Sequence, residues 1–161
     1  MTAIDIGAGA TNRASSKSGN VTYVDYNNPA NDTGTLTSFQ VWAEVSLTSC
    51  YAVVFREISS GYFTAIAASE NLGAITSGAA RTFSVNLPVQ VGDFLGVFFD
   101  SGNIEADLSG YDKVYAEPGN QTACVNKLFS TIKAGDAISI YGTGATVEGG
   151  TYNYFGYNAS S

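Results

Sequence analysis

Apolar and polar residues alternate with a period of two along most of this chain, the repeat of a β-strand with one face buried. From position 83 onward Phe83, Val85, Leu87, Val89 and Val91 are apolar, while Thr82, Ser84, Asn86 and Gln90 are polar. Nowhere does the i, i+3, i+4, i+7 stripe of an amphipathic helix persist long enough to compete. The chain therefore reads as all-β: an antiparallel β-sandwich, jelly-roll-like, of about ten short strands separated by turns rich in Gly, Asn, Asp and Ser. Strands are expected at 21–26, 35–45, 49–57, 62–68, 83–91 and 94–99, then at 113–115, 126–132, 137–141 and 152–157. In the second of these Phe39, Val41, Ala43 and Val45 share a face, and in the third Tyr51, Val53 and Phe55 point inward. Residues 94–99, FLGVFF, are apolar on both parities, which marks a central strand covered on both sides. Pro88 places its strand at an edge or bend, because proline cannot donate to a sheet ladder.

At 161 residues the chain fits one β-sandwich domain, with the polar residues 1–20 as an N-terminal arm. Histidine is absent, which removes Ser-His-Asp and Cys-His triads and any His-ligated metal. Two cysteines cannot make a four-thiolate site. Fourteen acidic side chains stand against seven basic ones, and the basic ones are dispersed singly from Arg13 to Lys133. Neither nucleic acid nor an anionic membrane is therefore an expected partner. Charged residues make up 13% of the chain against about 25% in an average soluble domain, while Gly, Ser, Thr and Asn supply 62 residues. A neutral, hydroxyl-rich surface of this kind gives trypsin-like proteases little to cut, which suits a virion or the extracellular medium. No basic region followed by an apolar stretch opens the sequence as given, so no signal peptide is expected in it, and no run of 18 apolar residues occurs.

An internal echo links VQVGDFLGVFFDSG at 89–102 to TIKAGDAISIYGTG at 131–144. Each places Gly-Asp after an apolar lead and closes on Gly; Gly92 and Gly135 are expected to turn the chain, with Asp93 and Asp136 capping the turns. The apolar-x-x-GD-apolar-x-apolar pattern resembles the late strands of TNF/C1q-type jelly rolls, which trimerise. The opening IDIGAGATNRASS, the segment NNPANDTGTLTSF and the pair GDFLGVFF and GDAISIYGTG resemble uncharacterised β-sandwich proteins of phage and environmental viral genomes. That likeness implies a virion-associated structural module, a capsid decoration or fibre-type protein, with capsid or tail proteins as partners. It carries no catalytic signature. The chain is thus expected to be a non-enzymatic interaction protein and a homo-oligomer, with a trimer favoured on the first resemblance.

Four sets of residues could bear chemistry. Asp100, Asn103, Glu105 and Asp107, within DSGNIEADLSGYDK, offer hard oxygens for Ca²⁺, although their spacing is not that of an EF-hand. A solvated acidic loop explains them equally, and no other cofactor is implied. Cys50 and Cys124 are two in number, which leaves a disulfide and a pair of buried thiols both open. Asp32-Thr33-Gly34 and Asp100-Ser101-Gly102 match the D-[ST]-G of aspartic hydrolases, whose two carboxylates must share one proton; the pattern is also a common turn. Finally, Tyr152, Tyr154, Phe155 and Tyr157, among twenty aromatics in all, stand beside Asn153 and Asn158. Rings with neighbouring amides serve a carbohydrate-binding module that takes a surface glycan, or seal a subunit interface.

Overall fold

Among residues 2–146, which the computed structural model describes, the alternation is realised as fourteen strands. In chain order they are β1 (Ala3–Ile6), β2 (Ser15–Ser18), β3 (Val21–Asp25), β4 (Gly34–Thr48), β5 (Tyr51–Ser59), β6 (Tyr62–Ala68) and β7 (Ala80–Val89). There follow β8 (Phe94–Phe99), β9 (Ser101–Asp107), β10 (Lys113–Pro118), β11 (Lys127–Leu128), β12 (Thr131–Ala134), β13 (Ala137–Ile138) and β14 (Ile140–Thr146). One sheet runs β1-β14-β4-β9-β13, with β2 added on β9 and β7 on β4. The other runs β11-β6-β5-β8-β3-β10-β12. Every pairing is antiparallel, so the expected sandwich is the observed architecture.

The second sheet curls. Phe129 and Ser130 join β11 to β12, yet β11 pairs with β6 at one edge and β12 with β10 at the other, so a single short link bridges the two edges. The sheet thereby gains two buried faces and the molecule two apolar clusters. Between the sheets lie Phe39, Val41, Val54, Leu95, Val97 and Phe99 among others; inside the curl lie Phe55, Phe63, Phe94, Tyr115 and Phe129 with Val24 and Val53. Inside it the rings meet edge-on, Phe63 at 5.0 Å from Tyr115 and 5.4 Å from Phe129 between centroids. β8 is the middle strand of this sheet and all six of its residues are buried, as its two apolar parities require. In β5 the expected inward row Val53 and Phe55 faces the curl, while Ala52 and Val54 fill the space between the sheets.

Four departures from the expected strands have physical causes. Val45 is 52% exposed because the β4–β9 register shifts between Ala43 and Val45, which breaks the face it was expected to share. Residues 126–132 are not one strand but parts of two, paired to opposite edges of the curled sheet. The acidic stretch at 101–107 is a strand, since Ile104 and Ala106 face the core between its polar residues. The segment 1–20, expected as an arm, supplies β1 against β14 and β2 against β9, with Ile4 and Ile6 buried. The strand expected at 152–157 lies outside the described residues.

β4 spans the molecule, and its register places both ends of the described chain beside Gly34. There the Thr146 amide donates to the Thr2 carbonyl at 2.9 Å, and the Thr2 amide to Thr146 Oγ1 at 2.9 Å. The described residues begin and end at one pole, and the Thr48–Cys50 turn, Asp100 and the 69–78 loop lie toward the other.

Candidate functional site

Arg13 organises the polar interior. Its side chain is 3% exposed, and every nitrogen has a partner. Nε donates to Ser139 Oγ at 2.8 Å, Nη1 to Asp107 Oδ2 at 2.8 Å and Tyr111 Oη at 3.0 Å, and Nη2 to the Gly9 carbonyl at 2.9 Å. Its backbone N–H donates to Glu105 Oε1 at 2.7 Å. Burial works against the guanidinium charge, but the bonds to Asp107 and Tyr111 outweigh it, and its pKa lies above the ordinary value.

The four oxygens expected for Ca²⁺ are thereby dispersed. Glu105 and Asp107 serve Arg13, the Asn103 amide donates to Ser16 Oγ at 3.2 Å, and Asp100 is exposed beside Thr48, past the far end of the strand. A cation from β2's side of the sheet already stands where calcium was expected. Among the described residues no three His, Cys, Asp or Glu side chains gather closely enough to hold a metal ion.

The Gly-Asp echo is a pair of matched turns. Gly92 and Gly135 hold φ of 89° and 85°, and the following amides, of Asp93 and Asp136, donate back to the carbonyls of Gln90 and Lys133. Asp93 also accepts the Gln90 N–H at 2.8 Å, the capping expected of it, whereas Asp136 takes Lys17 Nζ at 2.5 Å. Each carboxylate is buried and each meets one cation: Arg56 grips Asp93 in a bidentate pair at 2.9 and 3.0 Å. Between the two turns sits Asp25, wholly buried, accepting from Ala8 N, Asn27 N and Asn27 Nδ2. Burial raises its pKa to about 7, against the pull of those hydrogen bonds and of Arg13.

Cys50 packs between the sheets and Cys124 packs against the cluster inside the curl, so the second sheet separates them and both are free thiols. Burial pushes the Cys50 thiol up to about 12. The two D-[ST]-G aspartates also stay apart: Asp32 precedes Gly34 at one end of β4, and Asp100 lies beside Thr48 at the other. Two carboxylates so placed cannot share a proton. Tyr152, Tyr154, Phe155 and Tyr157 fall outside the described residues.

Openings remain where the two sheets part at their edges. A groove of about 360 Å³ separates β2 from β10 and β12; its rim bears Ser16, Lys17, Thr131 and Lys133, and its floor Val21 and Ala116. Lys133 is the one Lys or Arg side chain among the described residues with neither an ion pair nor a hydrogen bond. A second groove, of about 440 Å³, runs between β7 and the chain leaving β6. None of Arg13, Lys17, Asp25 or Arg56 stood out in the sequence; the one signal was scarcity, since a chain with seven cations tends to use each for a purpose. Compared with known protein families and with curated proteins, the chain matches none.

Proposed function

We propose that this protein is a non-enzymatic interaction module of a particle surface, of the virion-decoration or fibre type, working as a homo-oligomer. The observation that supports the reading is that Thr2 and Thr146, the first and last described residues, are hydrogen-bonded neighbours at one pole. A module tethered there presents its opposite pole and its sheet edges to the surroundings. Its buried carboxylates are committed to internal partners, as a structural role asks. Density-gradient fractionation of particles from the producing culture tests this. The protein should sediment with the particles and come off only under dissociating conditions; recovery solely in the unsedimented fraction overturns it.

The groove between β2 and β12 favours a second reading, a carbohydrate-binding module. Hydroxyls of Ser16 and Thr131 over an apolar floor match the two faces of a sugar, and Lys133, without a partner among the described residues, favours one that carries a carboxylate. Glycan-array binding lost in Lys133→Ala and Thr131→Ala supports it; an array with no signal for the unaltered chain removes it.

A further inference from the structure

Two aspartates stand in matched turns, and one of them is far less well provided for. Asp93 takes three donors: Arg56 Nε at 2.9 Å, Arg56 Nη2 at 3.0 Å and the Gln90 N–H at 2.8 Å. Asp136, at the same place in the echo, takes Lys17 Nζ at 2.5 Å. Among the described residues its carboxylate has no other donor, and Nζ has no other acceptor. Yet the two side chains are only 11% and 7% exposed. Lys17 lies opposite Ile104 across β2 and β9, so it shares the inner face of the sheet with that core residue. The other Lys–carboxylate pairs among the described residues, Lys113–Asp112 at 3.8 Å and Lys127–Glu117 at 3.6 Å, are longer and carry more exposed lysines. A buried ion pair with so few further bonds is poorly compensated for the water it has lost. Moving one proton from nitrogen to oxygen leaves a neutral amine against a neutral acid, the form that burial favours.

We propose that Lys17 and Asp136 react with one another, without a co-reactant, to form an amide cross-link between their side chains. Oδ2 lies one carbon–oxygen bond, about 1.2 Å, from Cγ, so Nζ stands within about 3.7 Å of the carbon it attacks, close to the roughly 3 to 3.5 Å of a near-attack pair. The amine lone pair adds to Cγ, one N–H proton passes to the hydroxyl oxygen of the acid, the carbon–oxygen bond breaks and water leaves. Amine and acid thus become one amide and one water, with nothing oxidised or reduced. Both partners are held in place beforehand. The β2–β9 register fixes Lys17, and the turn that bears Asp136 is fixed by the Gly135 N–H on the Asp112 carbonyl at 2.8 Å and by Asn27 Nδ2 on the Asp136 carbonyl at 3.0 Å. The same Asn27 amide donates to Asp25, a second buried carboxyl in this corner of the fold. Orientation of this kind supplies what an amine and an acid lack when they meet in solution. Lys17 also lines the groove between β2 and β12, which gives the released water a way out. The bond crosses the inner face of β9, joining its neighbours β2 and β13 through residues 119 apart in the chain.

The cross-link stands or falls apart from the particle and glycan readings above, and mass spectrometry of the full chain tests it. After incubation of the folded protein at neutral pH, the intact mass should fall short of the sequence by one water. Trypsin should then fail to cut after Lys17 and should release residues 14–56 joined to residues 134–161 as one branched fragment. Lys17→Arg keeps a cation for Asp136 but has no amine to form this bond, and should give a chain of full sequence mass with unchanged circular dichroism. Asp136→Ala should likewise keep its full mass. A parent chain that retains its full mass after days at neutral pH overturns the proposal. So does a mass deficit that persists in Lys17→Arg, and so does a parent chain that trypsin cuts after Lys17.

Discussion

Asp25 is an acid kept from water on every side, and its cost depends on pH. Its folded pKa, about 7, lies above the roughly 3.9 of an unfolded aspartate, so the folded chain holds this proton the more tightly. The contribution to stability is full below pH 4 and is lost as pH rises toward 7, a change of about 4 kcal/mol at most. Asp25→Asn keeps one acceptor oxygen, for Asn27, and sets an amide NH2 against the Ala8 N–H, so it should lower stability at every pH while flattening the melting temperature between pH 4 and 8 relative to the parent; parallel profiles would refute the assignment. Arg13 makes the opposite case. Arg13→Ala leaves the partly buried Asp107 without its cation and Ser139 Oγ without its donor, while Glu105 keeps the backbone N–H of residue 13, and a loss of about 1 to 3 kcal/mol is expected in urea melts. A loss below 1 kcal/mol would show that water replaces the guanidinium. Neither role was legible in the sequence. Arg13 and Glu105 lie 92 residues apart, and a row of acids reads alike whether calcium, solvent or a distant arginine neutralises it.

The elements that were legible are those whose burial is written into their own residues. FLGVFF declared a strand covered on both sides, and the alternation from Phe83 to Val91 declared a half-buried strand with Pro88 at an edge or bend; it is the edge strand β7, which stops at Val89 and leaves Val91 exposed. β9 was hidden because its polar residues serve the Arg13 network, so hydrophilicity there did not mean solvent. The curl was hidden as well, because closure by Phe129 and Ser130 depends on pairings with β6 and β10 that no local pattern encodes. Gly96 is what allows the curl's filling: a Cβ at that position would stand 2.4 Å from the Phe55 ring and 2.6 Å from the Tyr23 carbonyl. Gly96→Ala should therefore cost about 1 to 3 kcal/mol despite alanine's better fit to most backbones. An unchanged midpoint in chemical denaturation would show that Phe55 can withdraw. In the same strand Phe99 is fully buried between the sheets and Phe98 belongs to neither cluster, so Phe99→Ala should destabilise the more, by about 3 to 5 kcal/mol.

At the scale of the molecule, the first residues are part of the fabric. Deleting residues 1–18 removes β1, β2, Ile4, Ile6 and Arg13 together, and should abolish the cooperative melt rather than merely free a subunit. A truncated chain that still melts sharply near the parent's temperature would contradict this. The pairing of β1 with β14 carries a further consequence, in time rather than in energy. Ala3 faces Ala145, so the first described strand has no partner until nearly all the described chain has followed it. β2 waits likewise for β9. A topology that closes its first strand on its last must pay its longest loop-closure entropy before that contact rewards it, which puts folding in the millisecond-to-second range or slower. Closure of the sandwich is thus a late event in folding, and any partner that engages the finished fold meets β1 already paired with β14.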